Sequence, residues 1–361
     1  MNPIEGSWIP GPKLYESVGV IHIHSVYSDG ACSVSEIAEF ADQKKLDWIM
    51  LTDHCTLKAK EKGEEGKHGL VNVLVGSELD NEDGQNHYLA FGLDQLPRYE
   101  DPVEMVRAVR EAGGFGAIAH PHEKRDEFPD MPPYPWTAWE AEFDGIEIWN
   151  QLSQWVEGLT RNNRLYRFLH PLKSLTRPDP ETMAVWDRVN LKREVVGYVG
   201  VDAHALNYPL FYGLFHVKVF HYKVQFRSLL THLLLEKPLD SENFKKAKSQ
   251  ILKALREGRH FGANHRLGNP QGFRFQALVD NQPILPLSRI DPGCKVEFFA
   301  QAPAEAELVL LRNGKEIVRV KGRILRHTTE KDGIWRVEVH QKRKGWIYSN
   351  PIRIVESDSN H

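Results

Sequence analysis

The sequence predicts an α/β fold followed by a small all-β domain, and three observations carry that expectation. Strand-like and helix-like segments alternate from Val18 to about Ala205. The apolar runs in that stretch end on histidines and carboxylates, as in a barrel whose loops at the carboxyl ends of the strands build an active site. From about Phe273 the pattern changes to short alternating segments with hairpin-type turn dipeptides.

Val18–His24 reads as the first strand and turns at Gly30. Ser33 or Ser35 caps an amphipathic helix, Val34 to Lys45, with Ile37, Ala38, Phe40 and Ala41 apolar. The runs Trp48–Leu51 and Val71–Val75 follow as strands. Pro102–Ala112 reads as a helix that Gly113-Gly114 stops ahead of the strand Phe115–Ala119. Gly145–Trp149 and Val195–Val201 are two further strands. Strand, helix, strand in series implies parallel pairing.

The stretch from Pro121 to about Trp186 departs from this scheme, being rich in proline and holding Trp136, Trp139, Trp149, Trp155 and Trp186. It is either an insertion packed on the barrel, about 121–190, or a lid that gives the site aromatic walls. Phe244–Arg259 reads as a helix with Ala247, Ile251, Leu252 and Leu255 on one face, ending at Gly258 or shortly after. Beyond it Phe273–Val279, Lys295–Ala300, Glu307–Arg312, Gly333–Gln341 and Trp346–Ile354 read as strands. With turns at Asn313-Gly314 and Asp332-Gly333 they suggest a β-sandwich. The boundary is expected between Phe261 and Gly272, giving a barrel over 1–265 and a sandwich over 272–361.

Composition narrows the function classes. The chain has 361 residues, 41% of them hydrophobic and 26% charged, which suits a globular protein with a sizeable core. A net charge of −3 offers no basic surplus for a nucleic-acid partner. Cys32, Cys55 and Cys294 are odd in number and widely spaced, which argues against a disulfide framework. Met1–Pro12 lacks the pattern of a signal peptide, no apolar run approaches the ~20 residues of a membrane span, and cytoplasmic residence is the expectation. Oligomeric state is not legible.

The chemistry resides in six segments: His22-Ile23-His24 with Asp29, Asp53-His54, Glu78, His87, His120-Pro121-His122 and Asp202-Ala203-His204. Residues two apart in a strand face the same way, so His22 and His24 can bind one ion together, as can Asp202 and His204. Ser28-Asp29-Gly30 puts a carboxylate in a tight turn past the first pair. His54 suits a ligand, and Asp53 is a ligand or an acceptor that orients an imidazole. Glu78 is a carboxylate able to bridge two ions ~3.5–4 Å apart. His87 opens an apolar run, and Pro121 is expected to force an extended conformation on His120. His68 and His170 are further pocket candidates, and Cys55 reads as a small wall residue.

As an ordered set, HxH with SDG, TDH, a Glu after Gly-Ser, a His before a short strand, AHPH and DAH resembles the PHP superfamily, named for polymerase and histidinol phosphatase, over roughly residues 18–205. The resemblance implies a distorted seven-stranded (β/α) barrel with a two- or three-metal site, and the mixed imidazole and carboxylate ligands suit Zn, Mn or Fe. It implies that His22, His24, Glu78 and Asp202 hold the first ion, Glu78, His87 and His120 the second, and Asp29, His54 and His204 the third. The tail, led by Ala254-Leu255-Arg256-Glu257-Gly258-Arg259, is similar to an extended subgroup that includes hydrolases of the carbaryl-hydrolase type.

The expected activity is metal-dependent hydrolysis of a small phosphorylated metabolite or nucleotide. Clustered divalent ions lower the pKa of a bound water toward ~7 and clamp phosphoryl oxygens. His122 is the candidate for leaving-group protonation or phosphate contact, Asp53 for proton transfer or orientation, and Lys124 and Arg125 for binding phosphate. Two other readings compete: the same metals acting on a carbamate, ester or amide, and a non-catalytic, metal-stabilised binding module.

Overall fold

The structure, a computed structural model, describes residues 13–81, 83–125, 132–205 and 220–356, with the backbone alone of 207–210 and 215–218. Met1–Pro12 and the side chain of His216 lie outside the described residues. Strand β1 (Tyr15–Ile23) leads to helix α1 (Val34–Gln43), whose capping box joins Ser33 to Glu36 and whose Val34, Ile37, Ala38 and Ala41 are buried. β2 (Trp48–Leu51) pairs in parallel with β1 and with β3 (Val71–Val75). Between β2 and β3 lie a one-turn helix, Lys58–Glu61, and a short strand, Gly66–His68, that pairs antiparallel with β3 and departs from simple alternation.

A second sheet runs in the order β4 (Ser77–Leu79), β5 (Tyr88–Phe91), β6 (Phe115–Ile118), β7 (Gly145–Asn150) and β8 (Val196–Gly200). Helix α2 (Pro102–Glu111) precedes β6, α3 (Gln151–Glu157) follows β7, and α4 (Pro180–Asn190) precedes β8. The pairings β6–β7 and β7–β8 are parallel, but β4–β5 and β5–β6 are antiparallel, which corrects the expectation of uniform parallel pairing. The connection from Leu79 to Tyr88 carries no helix, and without a crossover a strand can only return antiparallel. The sheets meet along β1 and the end of β8, where the His24 N–H donates to the Ala203 carbonyl at 2.9 Å. They meet again where β3 passes through Gly76 into β4, the Gly76 N–H donating to the Leu51 carbonyl at 2.8 Å.

After β8 the chain adds β9 (Leu229–Leu235), antiparallel to β1, then α5 (Phe244–Arg256) and β10 (His260–Asn264), antiparallel to β9. The remainder is a β-rich region: β11 (Arg274–Val279), β12 (Val296–Arg312), β13 (Lys315–Thr329), β14 (Gly333–Gln341), β15 (Lys344–Ser349) and β16 (Ile352–Ile354). The segments 295–300 and 307–312, expected as two strands, are one long strand with a register break between Gln301 and Ala306. β13 escaped the sequence reading because it is an edge strand largely exposed on both faces. The Asn313-Gly314 turn that joins it to β12 has φ of +52° and +75°, the positive pair a tight hairpin needs.

The expected boundary falls in the loop between β10 and β11, yet the first sheet runs unbroken across it, from β11 through β12, β14, β15, β10 and β9 to β1. One core packs Leu234, Phe261 and Ala263 with Phe275, Phe298, Trp335 and Trp346. A buried ion pair fastens the two regions elsewhere: Arg336 of β14 donates to both oxygens of Asp187 in α4, at 2.7 and 2.8 Å, and also to Glu338. Among the described residues no helix is long and apolar enough to cross a membrane.

Removing one partner of such a pair leaves the other charge buried. Asp187→Ala should therefore cost about 3–5 kcal/mol of stability, read from urea denaturation. Burial alone would raise the Glu338 carboxyl, but Arg336 and His340 beside it hold it down at about 2. A depressed carboxyl stabilises the fold above its ordinary value and loses that contribution as the pH falls through the folded one. Glu338→Gln should accordingly flatten the decline of thermal midpoint between about pH 4.5 and 2.

Candidate metal centre

The strand ends converge on the carboxylate of Glu78, which is 1% exposed. One of its oxygens lies 3.0 Å from His22 Nε2 and 3.1 Å from His24 Nε2. The other lies 2.8 Å from His87 Nδ1 and 3.2 Å from His120 Nε2. Asp202 Oδ1 stands 3.4 Å from His22, 3.6 Å from His24 and 3.3 Å from His204. Asp29, at the exposed rim, is 3.2 Å from His204, 3.5 Å from His24 and 3.8 Å from His54. Residues remote in sequence thus share one cluster.

Four overlapping groups present ligand atoms within 4.8 Å of one another: His24, Asp29, His54 and His204; His22, His24 and Asp202; His22, Glu78 and His120; and His54, Glu78 and His87. All nine residues that the sequence nominates as metal ligands are in these groups. The backbone bends to achieve this. His22, His120 and Asp202 have φ of +68°, +27° and +54°, which non-glycine residues rarely adopt. His120 is thus not in the extended conformation that Pro121 was expected to impose.

The electrostatics are those of a cation site. Burial would raise the Glu78 carboxyl, but His22, His87 and His54 hold it well below the usual range. Against burial, the charges of Asp202, Glu78 and Glu147 raise His22 well above an ordinary imidazole. Burial, reinforced by His204, lowers His24 to about 3, so its ring is neutral, the form that binds a metal. Both ring nitrogens of His24, and Nδ1 of His54 and of His120, are buried without a hydrogen-bond partner. Ionised carboxylates beside unpartnered imidazole nitrogens fit divalent cations.

The other nominated residues are placed differently. Asp53 faces away from the ligands: it accepts from the Ser25 N–H, the Ser25 hydroxyl and the Ser28 hydroxyl, each at 2.7 Å. These bonds brace the loop that carries Asp29. His122 points to Thr182, at 2.8 Å, and stacks on Trp139, outside the cavity that the ligands line. Lys124 is paired with Glu181 on the surface. Arg125 does line the cavity, of about 410 Å³, together with Tyr134, Leu152 and Val156. Its guanidinium donates to the buried Glu123 at 2.8 Å and lies over the Tyr134 ring. The aromatic wall is therefore Tyr134; Trp136, Trp149, Trp155 and Trp186 are buried in the core. His68 bonds to the Glu64 carbonyl, and His170 is exposed beyond a short helix.

Sequence reasoning missed Glu147. Its Oε1 takes His22 Nδ1 at 2.9 Å, while Oε2 accepts the His120 N–H and the Asn150 amide, each at 2.8 Å. A carboxylate on the far nitrogen fixes a ligating imidazole's orientation. The available signal was a lone acid inside the apolar run Gly145–Trp149. Gly200 makes room for this pair, since a Cβ there would stand 1.8 Å from Glu147 Oε1 and 2.9 Å from His22 Cβ.

Residues 21–168 match the family model of the PHP domain. An uncharacterized protein of Methanocaldococcus jannaschii is 25% identical over 165 residues, 42% of this chain and 91% of that protein. A solved two-domain protein from Bacteroides vulgatus, containing a predicted PHP-like metal-dependent phosphoesterase, is 16% identical, with 95% of this chain and 97% of its own covered at a TM-score of 0.47. An amidohydrolase from Chromobacterium violaceum is also 16% identical, with 52% and 87% covered at a TM-score of 0.32.

Gly200→Ala should displace Glu147 from His22 and weaken cation binding about 10–100-fold, measured by competition with a chromogenic chelator.

Proposed function

We propose that this chain is a metal-dependent hydrolase, a phosphoesterase acting on a small phosphorylated compound. The observation that carries the reading is Glu78, a buried carboxylate with one oxygen beside His22, His24 and His54 and the other beside His87 and His120. A carboxylate so placed could serve two cations. His22, His24 and Asp202 would hold one, and Asp29, His54 and His204 with His24 another; His87 and His120, both beside one Glu78 oxygen, would serve a further one. Counting β3 and β4 as one bent strand, the order β1, β2, β3–β4, β5, β6, β7, β8 gives seven strands. With β8 returning to β1, this supports a distorted seven-stranded barrel around the site.

Divalent cations bound there would acidify a water and neutralise charge building on a phosphoryl group. The chain's own residues do the rest. Arg125, fixed by Glu123 and Tyr134, presents a guanidinium in the cavity, suited to an anionic phosphoryl oxygen. Glu147 holds the His22 ring, and Asp53 holds the rim loop that places Asp29. Leu152 and Val156 give the cavity an apolar side that limits water. His122 bonds to Thr182 and has no part in the reaction as drawn.

The test is a panel of phosphomonoesters, phosphodiesters and aryl carbamates, each with Mn²⁺ or Zn²⁺. Turnover of a phosphoester is expected, and Glu78→Ala should abolish it while circular dichroism shows a folded chain. Carbamate turnover alone would replace the phosphoesterase reading, and bound metal without any turnover would favour a binding module.

A further inference from the structure

The short helical turn Tyr222–Gln225 follows the last ligand motif, Tyr222 standing 18 positions after His204, and neither of its buried end residues lines the cavity. Both nevertheless reach the main chain of candidate ligands. The Tyr222 hydroxyl donates to the His24 carbonyl at 2.6 Å and lies 3.3 Å from the His204 carbonyl. The Gln225 amide donates to the Val201 carbonyl at 2.7 Å and lies 3.4 Å from that of Asp202. Tyr222 and Gln225 are each 0% exposed.

These contacts fall where the ligand geometry is most constrained. His24 and His204 come from strands remote in sequence, yet their rings stack 4.0 Å apart, and both face Asp29. One hydroxyl between their carbonyls ties the two strand ends from behind. Asp202 has its φ at +54°, and the amide of Gln225 bonds to the peptide units on both sides of its Cα. A buried carbonyl that loses its donor gains freedom to shift, and a ligand atom moves with it.

We propose that Tyr222 and Gln225 are positioning residues of the metal centre. Tyr222 sets the spacing of the group His24, Asp29, His54 and His204, and Gln225 sets the carboxylate of Asp202. The inference rests on the reading of this cluster as a cation site.

Tyr222→Phe removes the hydroxyl and keeps the ring that packs near Phe40 and Phe226. Gln225→Met removes the donor at similar volume. The measurements are Zn²⁺ and Mn²⁺ affinity by chelator competition, cation content by mass spectrometry, and the thermal midpoint of the metal-free protein. Cation affinity should fall about 10–100-fold in each variant, with Tyr222→Phe losing one cation selectively, at temperatures where both variants are folded. Wild-type affinity and content in both variants would overturn the proposal, including where the metal-free midpoint drops, as a purely structural role predicts. If the wild-type chain itself takes up no cation, the reading of the centre fails first. If the wild type binds and the variants match it, the positioning role alone fails.

Discussion

The structure is organised around one buried carboxylate. Glu78 is almost fully enclosed, yet it is held ionised by imidazoles from β1, from the start of β5 and from the end of β6. In a low-dielectric interior such a charge is tolerated only where partners surround it on every side. That requirement fixes where the strands must stop. It also explains why His22, His120 and Asp202 sit in a left-handed backbone region: each costs about 1–3 kcal/mol and persists only because its surroundings over-determine it.

Around the ligands lies a layer of residues that touch them and hold them still. Glu147 fixes the His22 ring and the His120 peptide together, so one acid registers β1 against β6 and β7. Asp53 collects three hydrogen bonds from the loop between His24 and Asp29. Glu123 secures Arg125 while accepting from Ser153 and the Tyr134 N–H. The charged groups facing the cavity are thus backed by a polar frame rather than by loose side chains, the condition for ligands that do not rearrange when charge develops.

The β-rich tail is not appended through a free linker. Its sheet continues into β10, β9 and β1, the strand that carries His22 and ends just before His24, and the Asp187–Arg336 pair ties it to α4. The tail therefore bears mechanically on the first ligand strand. Its core of Phe275, Phe298, Trp335 and Trp346 is shared with Phe261 on the other side of the expected boundary.

Much of this was legible in the sequence. The nine ligand candidates, strands such as Trp48–Leu51 and Val71–Val75, helices such as Val34–Gln43, and the Asn313-Gly314 hairpin follow from local patterns: periodicity, caps, turns and ligating side chains at strand ends. Local patterns report what a residue can do and which way it faces. They do not report what it meets. Only the tertiary structure bonded Asp53 to Ser25 and Ser28 and His122 to Thr182, set Glu147 against His22 and Tyr222 against the His24 carbonyl, placed Arg125 on the cavity, and made β5 antiparallel. Each of those outcomes is set by a partner dozens of residues away or by the absence of a crossover. An identical carboxylate or imidazole becomes ligand, brace or surface group according to the neighbour it finds.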